Sequence, residues 1–235
     1  MKKTIAIIAP DTDSGKTIVT AALATLLKEA GITTAIMKPL QTGSSNNRSE
    51  DLDYILNKSD IHLTPQEYSW ATPYTFPLAC SPHLAAKEAK EIISFSIIQK
   101  SLENLQQLFD IILIESAGGI MSPLSLEATN LTLIKELSCD VIIVIPNKLG
   151  AISQALSTIS LLQISNIPIL GVIYNEPREE LSTLDIKIIN DNIKTIEKFT
   201  HTKTIGRLKN ISHNFHTCVR DSLPQVLSYI LGKDA

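Results

Sequence analysis

Three things are scarce in this 235-residue chain: cysteine, net charge and long apolar runs. The three cysteines, Cys80, Cys139 and Cys218, are odd in number and far apart, which excludes a disulfide framework and any familiar zinc spacing. They read as reduced thiols and point to a cytoplasmic setting. A formal net charge of -3 gives no overall electrostatic reason to expect a nucleic-acid partner. No apolar run approaches the ~20 residues of a transmembrane helix. The start, Met1-Lys2-Lys3 and an apolar stretch, resembles a signal peptide only superficially. Asp11, Asp13 and Lys16 cut the apolar run short, and no small-residue cleavage site follows. A basic amphipathic C-terminal helix is missing too, because Leu223 to Ala235 carries only Lys233. No repeat, low-complexity tract or linker divides the chain, so residues 1–235 are expected to form one domain with a substantial core.

What is present is organised around APDTDSGKT, Ala9 to Thr17. The apolar run Thr4–Ile8 precedes it, and Val19, Ala22, Leu23, Leu26 and Leu27 follow at helical spacing. Strand, Gly-Lys-Thr loop and helix are the setting of a phosphate-binding loop. Amides from Asp13, Ser14, Gly15, Lys16 and Thr17 can converge on an anion at a helix N-terminus. Lys16 can neutralise the β/γ-phosphates and Thr17 can ligate Mg²⁺. Pro10 stands where the first glycine of that loop belongs; it lacks an N–H but lies upstream of the cradle.

Further along, apolar strands at residues 33–37, 111–114, 141–145 and 169–174 alternate with helical patterns. The alternation predicts an α/β fold, a doubly wound and mostly parallel sheet of P-loop type. The second strand ends in KPLQTG, Lys38 to Gly43, at the sheet end where such folds bind ligands. Asp51 and Asp53, in DLDYIL, are most simply helix-start carboxylates. The stretch 61–81, with Pro65, Pro73 and Pro77, reads as irregular connection. Ser81-Pro82-His83 starts a helix, with His83 in a capping or structural role. Glu115 ends a buried strand; on position alone it is equally a metal carboxylate or a solvent-facing strand end. Gly118-Gly119 then allows a tight turn. Beyond Arg178 the expected elements are a helix over 186–199, a strand over 202–205 and a closing helix over 224–231. His213, His216 and Cys218 read as loop or surface residues and not as a metal cluster.

Together these motifs resemble the dethiobiotin synthetase family. Its GTDTxVGKT pattern resembles Ala9 to Thr17, KPxxSG resembles Lys38 to Gly43, and EGAGGxxxPL resembles Glu115 to Leu124. KLGxINH is similar to Lys148 to Gln154; PYTF at Pro73–Phe76, the SPH tripeptide and Asn175 also match. The motifs occur in family order over about residues 3–177. Ala9-Pro10, Ser116, Ser153 and Leu208-Lys209 depart from the pattern. The resemblance implies an ATP-dependent ligase that converts 7,8-diaminopelargonic acid and CO₂ into dethiobiotin through a phosphorylated carbamate. It implies catalytic roles for Lys16, Lys38 and Thr12, and nucleotide contacts from Asp13–Thr17, Glu115, Gly118 and Asn175. Thr12, Lys38 and Thr42 would meet the diamine and its carbamate. Thr17, Asp53 and Glu115 would hold Mg²⁺, Asp53 fitting the family spacing better than Asp51. It further implies a homodimer in which Gly150, Ala151, Ile152 and Ser153 of one subunit reach the acid tail of substrate bound to the other.

Two other classes fit a P-loop chain. One is a switch ATPase of the partition or division-site type; those carry a second lysine early in the loop, and Ala9–Ser14 contains none. The other is a degenerate nucleotide-binding module, which Lys38 and Glu115 make less attractive.

Overall fold

Each apolar run of the sequence becomes a strand with both faces covered, because helices flank the sheet on either side. The computed structural model describes residues 2–176, 182–209 and 214–232. In chain order the elements begin β1 (Lys3–Ile8), α1 (Lys16–Glu29), β2 (Thr34–Met37), β3 (Leu40–Thr42) and α2 (Glu50–Ser59). They continue with α3 (Pro65–Ala71), β4 (Tyr74–Phe76), α4 (Pro82–Glu88), α5 (Phe95–Leu108) and β5 (Ile111–Glu115). The second half holds α6 (Asn130–Glu136), β6 (Asp140–Pro146), α7 (Ala151–Ile164), β7 (Ile169–Glu176) and α8 (Thr183–Thr200). It closes with β8 (Thr204–Lys209), α9 (Phe215–Ser222) and α10 (Val226–Leu231).

Six strands form one parallel sheet in the order β2-β5-β1-β6-β7-β8. From β1 the chain winds outward to β2 on one side, and after β5 it crosses to β6 on the other. The winding direction therefore reverses around β1, and the crevice at its C-terminal end is where such sheets take ligands. Ile5–Ile8, Ile111–Ile114 and Val141–Ile145 are buried, as strands covered on both faces require. α1 packs against α2 and α9, so it is buried from Val19 to Leu27. Its buried hydroxyls are satisfied within the helix: Thr20 donates to the Lys16 carbonyl and Thr25 to that of Ala21, each at 2.9 Å.

Four stretches depart from the sequence expectation. The 61–81 connection is largely ordered: Pro65 occupies the first turn of α3 behind a Thr64/Glu67 capping box, where a missing N–H costs nothing. β4 then pairs in parallel with β3 as a second, two-stranded sheet. α6 and α9 are helices where no periodic run was legible; α9 places His216 and Arg220 on Glu29 of α1. The strand expected over 202–205 is instead β8, which extends to Lys209. Pro177, Arg178, His213 and Lys233 lie outside the described residues. Among the described residues, no helix is long and apolar enough to cross a membrane.

Candidate active site

The loop between β1 and α1 builds the floor of the site. Gly15 takes φ +91° as the N-cap of α1, with no side chain capping the helix, so the first-turn amides remain available to an anion. Glycine is required there for a second reason, since a Cβ would fall 2.0 Å from Asn175 Nδ2. Lys16 bends back to donate to the Asp11 carbonyl at 3.1 Å. Burial, and after it the neighbouring Lys38 ammonium, holds the Lys16 pKa below its ordinary value.

Three elements converge above this floor. Thr17 Oγ1 donates to Glu115 Oε1 at 2.9 Å and lies 3.5 Å from Asp51 Oδ1. Lys38 Nζ, just past the end of β2, contacts Asp51 Oδ2 at 2.6 Å and Glu115 Oε1 at 2.8 Å. Burial alone would lower the Lys38 pKa, but Glu115 and Asp51 outweigh it and hold the ammonium form. Glu115 is fully buried, and its Oε2 has no hydrogen-bond partner. Glu115 is therefore not a solvent-facing strand end; it belongs to the site.

The two aspartates of α2 are held differently. Asp53 is held bidentately by Arg48, with Nε to Oδ2 at 2.9 Å and NH2 to Oδ1 at 2.7 Å. That hydrogen-bonded pairing keeps the Asp53 pKa below the usual carboxylate value. Asp51 is the carboxylate that joins Thr17, Lys38 and Glu115. The reason is helical phase, because residues two apart do not share a face. Asp51 sits one turn before buried Ile55, whereas Asp53 sits one turn before exposed Asn57.

Two cavities meet at this cluster. One, of 520 Å³, is lined by Thr12, Asp13, Gly15, Lys16, Thr17, Lys38, Asp51, Glu115 and Gly118. The other, of 450 Å³, is lined by Thr42, Gln41, Cys80, Ser81 and Ser122, and shares Thr12, Lys38, Asp51 and Gly118 with the first. The Gly118-Gly119 turn seals one wall against the loop: a Cβ on Gly119 would lie 2.3 Å from the Pro10 carbonyl oxygen. Asn130, a residue without a sequence signal, fixes that turn by donating to the Ala117 and Gly119 carbonyls at 2.7 and 2.8 Å.

Asn175 lies at the end of β7, 8% exposed, with Nδ2 on the Ser14 carbonyl at 3.2 Å. Leu208 is its partner in register on β8 and is buried; Lys209 beside Glu176 is exposed. Also unanticipated is the network around Glu176. Its carboxylate accepts from Arg207 at 3.0 and 3.1 Å and from Asn147 at 2.7 Å, and Asn192 donates to Asn147 Oδ1 at 2.9 Å. Gly150 to Ser153 begin α7 outside both cavities. Ser14 is buried beneath the loop, donating to the Asp11 carbonyl.

The donor set fits Mg²⁺. It offers only oxygens, two carboxylates and one hydroxyl, with one buried carboxylate oxygen unpaired. So few protein ligands suit a cation that keeps waters and binds together with phosphates. Among the described residues, no group of three or more His, Cys, Asp or Glu residues could by itself hold a metal ion.

Comparison with known proteins follows the same lines. The family model described as an AAA domain matches residues 3–213. The ATP-dependent dethiobiotin synthetase BioD 2 of Haemophilus influenzae is 39% identical over 176 residues, covering 74% of this chain and 92% of that protein. The ATP-dependent dethiobiotin synthetase BioD of Clostridium kluyveri is 33% identical over 217 residues, covering 90% of this chain and 87% of its own. Among solved structures, the MinD cell division protein of Aquifex aeolicus superposes with a TM-score of 0.60 at 15% identity, covering 99% and 98% of the two chains. At that identity the likeness concerns the fold alone.

Proposed function

Because this chain belongs to the dethiobiotin synthetase family, a group of ATP-dependent C–N ligases, we propose that it closes the ureido ring of dethiobiotin from 7,8-diaminopelargonic acid, CO₂ and ATP. One amine of the diamine adds to CO₂ and loses a proton, giving a carbamate. A carbamate oxygen takes the γ-phosphoryl group, forming a carbamic–phosphoric anhydride and ADP. The second amine attacks the carbamoyl carbon and gives up a proton, and phosphate departs as the ring closes.

The observation that carries this reading is the shared wall of the two cavities. Lys38 and Thr12 line both, so a phosphoryl donor in one and an acceptor in the other would meet at the Lys38 ammonium. Phosphoryl transfer asks the protein mainly for positioning and charge neutralisation. The amides from Asp13 to Thr17, with Lys16, would hold the β/γ-phosphates. Gly118 flanks the transferring group. Lys38 would balance charge on carbamate and γ-phosphate together, while Thr12 and Thr42 orient the diamine and its carbamate. Thr17, Asp51 and Glu115 would hold Mg²⁺, whose chemistry there is to neutralise and orient the phosphates. Asn175 would face the adenine.

The functional unit we propose is a homodimer. Gly150, Ala151, Ile152 and Ser153 begin α7 with no side chain capping it, next to Leu149, which is 83% exposed. These residues lie outside both cavities described above, and with the Ala151 N–H already on the Lys148 carbonyl at 3.0 Å, the amides of Ile152 and Ser153 suit the carboxylate of a substrate bound to a second copy. The switch-ATPase reading has the fold likeness in its favour, but the loop lacks the second lysine such proteins carry. Incubation with ¹³C-bicarbonate, ATP and the diamine tests the chemistry: the label should appear in the ureido carbonyl of dethiobiotin. Unlabelled or absent product contradicts it.

A further inference from the structure

Lys38 carries two assignments that cannot hold at once. Its ammonium is to meet the phosphoryl acceptor, yet in the protein alone it lies 2.6 Å from Asp51 and 2.8 Å from Glu115. Those are the two carboxylates that suit the divalent cation. We propose that Lys38 occupies the cation's place in the free protein, and that metal arriving with nucleotide expels its ammonium toward the acceptor. This inference rests on the reading of Thr17, Asp51 and Glu115 as the metal's holders.

Three observations carry it. The Lys38 ammonium bridges Asp51 Oδ2 and Glu115 Oε1, so a cation held between those two carboxylates takes the position of that ammonium, while Glu115 Oε2 stays free to join it. The Lys38 side chain is 4% exposed, so the two carboxylates and not water hold its ammonium. Its exit is the space it already borders, the two cavities that share it as a wall.

Charge decides the direction of the exchange. A bare divalent ion would enter beside two buried lysines, Lys16 and Lys38, whose like charge opposes it. A nucleotide polyphosphate supplies the missing negative charge. Metal alone should therefore compete poorly with Lys38, whereas metal and nucleotide together displace it. The exchange delivers the lysine to the reacting groups only after the donor is loaded. It also keeps the carboxylates paired meanwhile, where an unpaired buried charge would be costly.

The binding test needs neither nucleotide nor diamine, so its outcome is independent of whether the protein makes dethiobiotin. Mn²⁺ binding to the nucleotide-free protein is followed from the free-ion paramagnetic resonance signal in wild type, Lys38→Met and Lys16→Met. Lys38→Met should bind Mn²⁺ at least tenfold more tightly than wild type, and Mn²⁺ should raise its melting temperature more. Lys16→Met removes a nearby charge that bonds only the Asp11 carbonyl, so it should tighten binding less than threefold. No gain in Lys38→Met, or an equal gain in Lys16→Met, overturns the proposal. Should Lys38→Met fail to fold, ¹⁵N-lysine spectra of wild type give the same answer. The Lys38 ammonium resonance should move when Mg²⁺ and a non-hydrolysable ATP analogue are added together, and a resonance that stays in place overturns the exchange.

Discussion

The side-chain amide of Asn175 donates to the main-chain carbonyl of Ser14 across 3.2 Å, tying the end of β7 to the phosphate-binding loop. Asn175 also packs on Gly15 so closely that no side chain fits between them. The residue expected to read the base is therefore also a prop for the loop, and the two roles are separable.

Asn175→Ala should lower kcat/KM for ATP about tenfold, in line with the ~1–3 kcal/mol cost of leaving a buried carbonyl without its partner. It should also bring the ATP:GTP preference close to one. Adenine presents an acceptor at N7 and a donor at N6 that match an amide, whereas guanine presents two acceptors. Steady-state kinetics with both nucleotides check this. A lower kcat/KM with an unchanged ratio would show that Asn175 supports the loop without reading the base.

The two aspartates of α2 separate equally well. Asp51→Asn should reduce Mg²⁺-dependent turnover by more than tenfold, because a carboxylate charge leaves the Thr17–Glu115 cluster. Asp53→Asn should leave kcat within about threefold of wild type. It removes a half-exposed ion pair with Arg48, worth at most ~1 kcal/mol of stability. Mg²⁺ titrations of both variants decide, and the reverse order of effects would return the metal role to Asp53.

A pH test addresses the α1–α9 contact. The Arg220 hydrogen bond, opposed by slight burial and aided by His216, brings the Glu29 pKa from an ordinary 4.5 down to about 2. A depressed carboxylate pKa contributes stability that is complete above 4.5 and lost as pH falls toward 2. Glu29→Gln should accordingly melt at lower temperature than wild type at pH 7. The difference should shrink on acidification through that window. Melting curves that differ equally at pH 7 and pH 3 would contradict the assignment.

How far the sequence led depended on what kind of signal each residue carries. Buried parallel strands announce themselves as apolar runs, and Gly15-Lys16-Thr17 between strand and helix has few other uses. The order of the motifs placed Lys38, Thr42 and Glu115 at one end of the sheet, where the structure has them. Asp51 was ambiguous because two carboxylates two residues apart differ only in helical phase, and phase is fixed by which face of α2 packs on α1. Pro65 misled because a helix-starting proline and a helix-breaking one look alike without the cap. The Glu176–Arg207–Asn147 network was invisible because charged residues at strand ends ordinarily face water. Its burial follows from the packing of α8, which brings Asn192 to Asn147.

Release of ADP, measured with and without 7,8-diaminopelargonic acid and bicarbonate, tests most directly whether the acceptor at Lys38 is a carbamate. The account predicts that ADP forms only when both are present, one ADP per dethiobiotin, and that Lys38→Met abolishes both products together. ADP released at an equal rate without the diamine would mean that water is the acceptor, and would contradict it.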